Sequence, residues 1–384
     1  MDGIFKYEED LLKHHVRLEA WLPACRRRLE LIREGLTPKN WRRLRYFTFC
    51  AVGAMDPLML DVEDVISASK GGRFNTVYFF DKKPEYVVAT QKRIPGAIGF
   101  TGDFVDVVLS PDDGQPHMET GNVLAPPPDQ QDTSEVRASQ RHRSERDAFR
   151  SKCPFDAVNL DLEEYLFKPS EQLPGRVVAA MRKLFEWQRR PLLHDNPHWN
   201  GRRLSGFSLM FTTRIGPANL SQAYLGALET VVLENLERDE ALGEIVRARV
   251  GSDDIRVLRH DSFDEFFKLA MPKVIVAILK EEDWYINPDS GLSVIEFDRE
   301  GPSGPYKMLH LVMQVCRNNP PQEDRIPGAG DLEATQKYNQ SVRNVLASKE
   351  VQLSEEDLDT EKLQKSIDLI RARRRKYCPE EEEA

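Results

Sequence analysis

No stretch of this sequence approaches the roughly 20 consecutive apolar residues that a membrane-spanning helix requires, so no membrane partner is expected. The opening MDGIFKYEEDLLKHH mixes charges of both signs and lacks an apolar run ending in a small-residue cleavage site, so export is not expected and a cytoplasmic location is. Cysteine is scarce: Cys25, Cys50, Cys153, Cys316 and Cys378 are scattered, without the short paired spacings of zinc sites or an even count for a closed disulfide framework. Reduced thiols are expected. Histidines do not converge either: His14 and His15 fall on a helix, His194 and His198 in a loop, and His260 and His310 stand alone, so no metal site is expected. The chain has no P-loop, no serine nucleophile elbow and no zinc-protease helix. It also lacks a basic excess: 54 Lys and Arg against 63 Asp and Glu leave a formal charge of −9, which argues against a generally basic nucleic-acid surface. Local arginine clusters remain at Arg26–Arg28, at Arg42, Arg43 and Arg45, and at Arg371–Arg375. The ordinary role for such clusters is a solvated helix face; the second one is the candidate for phosphate contacts, and hence for a nucleic-acid partner.

What is present is alternation. Residues 1–40 carry apolar positions at helical spacing, broken at Pro23 and stopped by Gly35 and Pro38, which predicts an N-terminal helical extension. Strands are then predicted at 45–52, 76–80, 97–101, 156–161 and 204–212, with helices at 55–68, 84–93 and 175–189 between them. Such alternation implies a parallel sheet with helices on both faces. Residues 110–152, which contain LAPPPDQQDTSE and QRHRSERD, are too polar to offset their ordering entropy and predict an exposed, mobile insertion with room for one short charged helix. Helices follow at 221–238, 240–250 and 263–279, the last interrupted at Pro272, and then an antiparallel strand pair, 292–297 and 308–315, around the turn-rich EGPSGP. The domain division expected is 1–40, 41–320 and a charged, partly helical tail 321–384, whose termini and insertion are candidate surfaces for a protein partner.

In an open α/β sheet, ligands bind at the carboxyl ends of the strands, near the point where strand order reverses. Gly53 and Ala54, after the first strand, allow close backbone approach; Asp81, after the second, is placed to accept both hydroxyl hydrogens of a ribose; Asp103, after the third, is placed to meet an adenine amino group. Together they ask for an adenosine-type cofactor. A dinucleotide is disfavoured, because its fingerprint needs more than one glycine in the first loop.

With FCAVGAMD, VYFFDKKPE, GFTGDF and the late VIEF and LHLVMQV pair, residues 40–320 resemble the class I, Rossmann-like S-adenosylmethionine-dependent methyltransferases, and FDAVNLDLEEYLF resembles the fourth-motif strand of tRNA guanine-N2 dimethyltransferases. The resemblance implies a Rossmann-like parallel sheet closed by a C-terminal antiparallel hairpin, S-adenosylmethionine as cofactor, and methyl transfer to RNA or a related acceptor. It places Asp161 at the acceptor amine with Asn159 assisting and Glu163 at the same mouth, and leaves Arg214 as a substrate contact or a surface arginine. Two departures stand out: FCAVGAMD has one glycine where the family has two or three, and NLDLEE lacks the proline-aromatic turn of amino-methylating enzymes. The single-glycine loop, with the charged terminal extensions and the long polar insertion, fits the alternative, a catalytically silent protein of the same fold serving as scaffold or sensor in a complex.

Overall fold

The computed structural model describes residues 10–38, 41–49, 55–67, 76–111, 133–162, 175–189, 205–216, 222–251, 259–287, 293–299, 305–317, 343 and 350–379. Its centre is a sheet of nine strands among these residues: β1 (Tyr46–Thr48), β2 (Val77–Asp81), β3 (Ala97–Thr101), β4 (Ala157–Asp161), β5 (Gly206–Ile215), β6 (Trp284–Ile286), β7 (Ser293–Arg299), β8 (Tyr306–Arg317) and β9 (Glu350–Leu353). The spatial order is β3-β2-β1-β4-β5-β8-β7-β9, with β6 pairing the far end of β8. The first five strands run parallel, β8 runs antiparallel to β5 and to β7, and β9 runs parallel to β7. This is an α/β protein with a mostly parallel mixed sheet, compatible with a Rossmann-like fold. The order reverses between β1 and β4, so the crevice at their carboxyl ends is the ligand position of such a sheet.

Buried aromatic and β-branched residues make the central strands apolar on both faces, as strands covered twice by helices must be. One face packs on the N-terminal helices α1 (Leu11–Val16) and α2 (Leu22–Arg33), on α3 (Met55–Val62) and α4 (Pro84–Arg93), and on α11 (Thr360–Tyr377). The other packs on α5 (Phe104–Val108), α6 (Thr133–Arg150), α7 (Arg176–Trp187), α8 (Gln222–Arg238), α9 (Glu240–Val250) and α10 (Phe263–Glu281). The C-terminal helix is docked: Leu363, Ile367 and Ile370, at i, i+4 and i+7, are buried, and Asp61 of α3 accepts from the Tyr377 hydroxyl at 2.7 Å and pairs with Arg373 at 2.9 Å.

Three expectations change. The helical path at the N-terminus is not broken at Pro23; a π-helical turn, Arg17–Trp21, precedes α2, and the wider turn accommodates a proline that has no N–H to give. Pro272 likewise sits inside an uninterrupted α10. The segment 110–152 is not wholly a mobile insertion: α6 runs for 18 residues, and Phe149 near its end is 0% exposed. Residues 112–132 lie outside the described residues. Composition missed the docking because one aromatic among many polar residues decides it.

Candidate functional site

Alternation in register puts the polar strand ends on one face. Thr48 pairs with Phe79, two residues before Asp81; Asp161 pairs with Thr212, and Thr212 with His310. Gly53 and Ala54, expected at the cofactor, and Glu163, expected at the acceptor, lie outside the described residues.

Asp81 and Asp103 are brought together. The Gly102 N–H donates to the Asp81 carbonyl at 2.9 Å, which folds the β3 end beside the β2 end. Gly102 has φ +135°, and an added Cβ would stand 2.7 Å from Val107, so glycine is required at this turn. The half-buried Asp81 carboxylate accepts from the Lys83 N–H at 2.9 Å; burial raises its pKa against the opposing pull of Lys83. Asp103 caps α5, accepting from the Val105 N–H at 2.8 Å and the Asp106 N–H at 3.4 Å, and its other oxygen meets Lys82 at 2.9 Å. Burial opposes its ionisation, but Lys82 and the backbone donors outweigh that and hold the carboxyl below its ordinary range.

Asn159 and Asp161 do not form an open pair. Asn159 is 0% exposed, and its Nδ2 donates to the Tyr46 hydroxyl at 2.9 Å. Asp161 meets Lys13 of α1 at 2.6 Å, with side-chain exposures of 6% for Lys13 and 10% for Asp161. Burial would raise the Asp161 pKa, yet Lys13, His310 and Arg17 together lower it, so the carboxylate is ionised and neutralised by an N-terminal cation. Beside it, Thr212 Oγ1 and His310 Nδ1 are 2.6 Å apart, and the His310 ring stacks on Phe297 at 5.2 Å. The N-terminal helices are therefore part of this face, a role that no local signal in Lys13 announces.

His14 adds a titrating element. It is 1% exposed, neither ring nitrogen has a hydrogen-bond partner among the described residues, and burial, with Arg17 and His15 adding repulsion, lowers its pKa to about 3. The unfolded chain binds this proton near pH 6.5, the folded chain only near 3, so the unfolded state binds more protons between those values. Stability present above pH 6.5 is thus lost as pH falls toward 3, by up to about 1.4 kcal/mol per pH unit from this group. His14→Leu should flatten that acid limb in urea unfolding measured from pH 7 to pH 4; an unchanged slope would show that His14 protonates freely in the folded chain.

The arginines proposed for phosphate are differently engaged. Arg45 is 9% exposed, donates to the Lys152 carbonyl and lies 5.0 Å from the Tyr78 ring centroid. Arg43 pairs with Asp64, and Arg214 stacks 4.0 Å over Tyr306. Arg28 is 2% exposed and donates to the Gly206 carbonyl, so its cluster is not simply a solvated face. A polar cavity of about 400 Å³ opens between the start of α10 and strands β7 to β9, but its Lys268–Glu296 pair at 2.8 Å and Lys307–Asp264 pair at 2.6 Å already offset each other's charge. Among the described residues no group of three or more His, Cys, Asp or Glu is arranged to hold a metal, and no helix is long and apolar enough to cross a membrane.

Neither a protein-family model nor a curated protein matches the chain.

Proposed function

We propose that this chain is an S-adenosylmethionine-binding, methyltransferase-like protein, with Asp81 on the ribose hydroxyls and Asp103 near the adenine. The observation that carries this is the convergence of Asp81 and Asp103 at the carboxyl ends of β2 and β3, beside the reversal of strand order between β1 and β4. The reversed β8, inserted between β5 and β7, gives the same support from topology. Both carboxylates fit an adenosine: Asp81 is half-buried at the end of β2 with backbone donors from the turn that follows it, and Asp103 faces outward on its Lys82 side. When bound, the cofactor supplies a methyl group on an already activated sulfonium, so the protein has only to align an acceptor and exclude water.

The alternative, a catalytically silent scaffold or sensor, is favoured by one observation of its own. Asp161 is ion-paired with the buried Lys13, which holds its carboxylate ionised and makes it a poor base for an acceptor amine, and the Asn159 amide, held by its Nδ2 bond to Tyr46, is no base. An RNA acceptor has lost the support of Arg45, which is spent in the core. Isothermal titration with S-adenosylmethionine and S-adenosylhomocysteine, with NAD as control, tests the binding reading. Asp81→Asn should weaken both adenosyl ligands by about 10- to 100-fold, the worth of a charged hydrogen-bond pair, with little change in melting temperature. Unchanged affinity would remove Asp81 from the site, and no binding by the wild type would remove the cofactor.

A further inference from the structure

Arg17 is a buried cation without an anion of its own. It is 5% exposed, its Nε and Nη1 have no hydrogen-bond partner, and among the described residues no carboxylate forms an ion pair with it. Its contact is the Trp21 ring, whose centroid lies 5.8 Å away. Asp161, the acid whose ionisation Arg17 favours, is already paired with Lys13 at 2.6 Å, and Asp10, two helical turns back, spends one oxygen capping α1. Lys13 and Arg17 against Asp161 leave one positive charge in excess at the carboxyl end of β4. Donors are unmet in the same place. The indole N–H of Trp21, a residue 1% exposed, has no acceptor, and neither ring nitrogen of His14 has a partner. Guanidinium and indole can only donate, and a buried charge or donor left unmet costs free energy that an entering acceptor recovers. Arg17 and Trp21 are both carried by the π-helical turn, a form that recurs at functional sites.

We propose that Arg17 and Trp21, with His14 beside them, bind the carboxylate of a small molecule between the N-terminal helical path and the sheet. One uncompensated positive charge matches a monoanion, and two donor-only groups match an oxygen acceptor with no proton to give. The Trp21 ring, 5.9 Å from the His310 ring of β8, sets the place beside the Asp161–Lys13 pair. This site goes beyond the cofactor reading and is tested without a cofactor, so the failure of either leaves the other standing. The probes are acetate and its neutral isostere acetamide, titrated at pH 7 and constant ionic strength. The readout is the indole N–H resonance of Trp21 by NMR, identified among the five tryptophans by its loss in W21F. Acetate should shift that resonance saturably and bind about tenfold or more tightly than acetamide. Arg17→Met keeps an unbranched stem and removes the charge. It should erase the acetate preference while the urea midpoint of the unliganded chain holds or rises, because an unpaired buried charge is gone. No response to acetate, an equal response to acetamide, or an unchanged preference in R17M overturns the site. A lower midpoint in R17M, down to failure to fold, shows that the fold itself needs Arg17 and overturns it as well. Inorganic phosphate bound more tightly than acetate overturns the carboxylate assignment.

Discussion

Lys13→Met should cost about 3–5 kcal/mol of folding stability at pH 7, because it strands the Asp161 carboxylate in a site where only 10% of its side chain reaches solvent. The substitution keeps the length of the side chain and removes its charge, so lost packing contributes little. Asp161→Asn in the same chain should recover most of that loss, since an amide carries no charge to leave unpaired; the coupling energy of the two substitutions isolates the pair. The pH dependence has a definite sign. The folded pKa of Asp161 lies below its unfolded value, so the pair's contribution is present above the ordinary carboxylate range and is lost as pH falls through the folded pKa. Urea unfolding at pH 7 of the two single variants and the double variant measures all of this; a K13M cost below about 1 kcal/mol would place the pair among surface ion pairs, and the silent-protein reading would lose its principal support.

Phe149→Ala should cost about 3–5 kcal/mol, the range for deleting a fully buried phenylalanine. Its ring lies 4.8 Å from Phe80, 4.9 Å from Phe47, 5.1 Å from Phe100 and 5.5 Å from Phe155, centroid to centroid, on the side of the sheet away from the polar strand ends. Substitution of a residue in a mobile insertion would change stability by no more than about 0.5 kcal/mol. The denaturant midpoint therefore separates the two descriptions of this segment. A small change would mean that α6 is not held to the aromatic cluster in solution.

The Lys13 and Phe149 cases share a cause. In both, one residue with unremarkable neighbours in sequence is fixed by contacts far along the chain, and no local signal marks it: Lys13 lies in the predicted N-terminal helical extension, and Phe149 in the polar segment read as an exposed insertion. The same holds for Asp56. Its position after the first strand is visible in FCAVGAMD, but its three hydrogen-bonded neighbours come from β1 and from β4, and the latter strand begins about a hundred residues later.

By itself the sequence determined the alternation of strands and helices, the closing antiparallel pair, and the placing of Asp81 and Asp103 at strand ends, because each rests on short-range signals: apolar runs bounded by glycine, Pro84 at a helix start, an aspartate before a helix. Only the tertiary structure decided that Asp161 is ion-paired, that Asn159 keeps a buried unpartnered carbonyl, that Arg45 is spent in the core, and that α6 and α11 are docked. Those facts depend on which side chains are brought together when water is excluded, and the free energy of a buried charge or hydrogen bond is set by its partners in space rather than its neighbours along the chain.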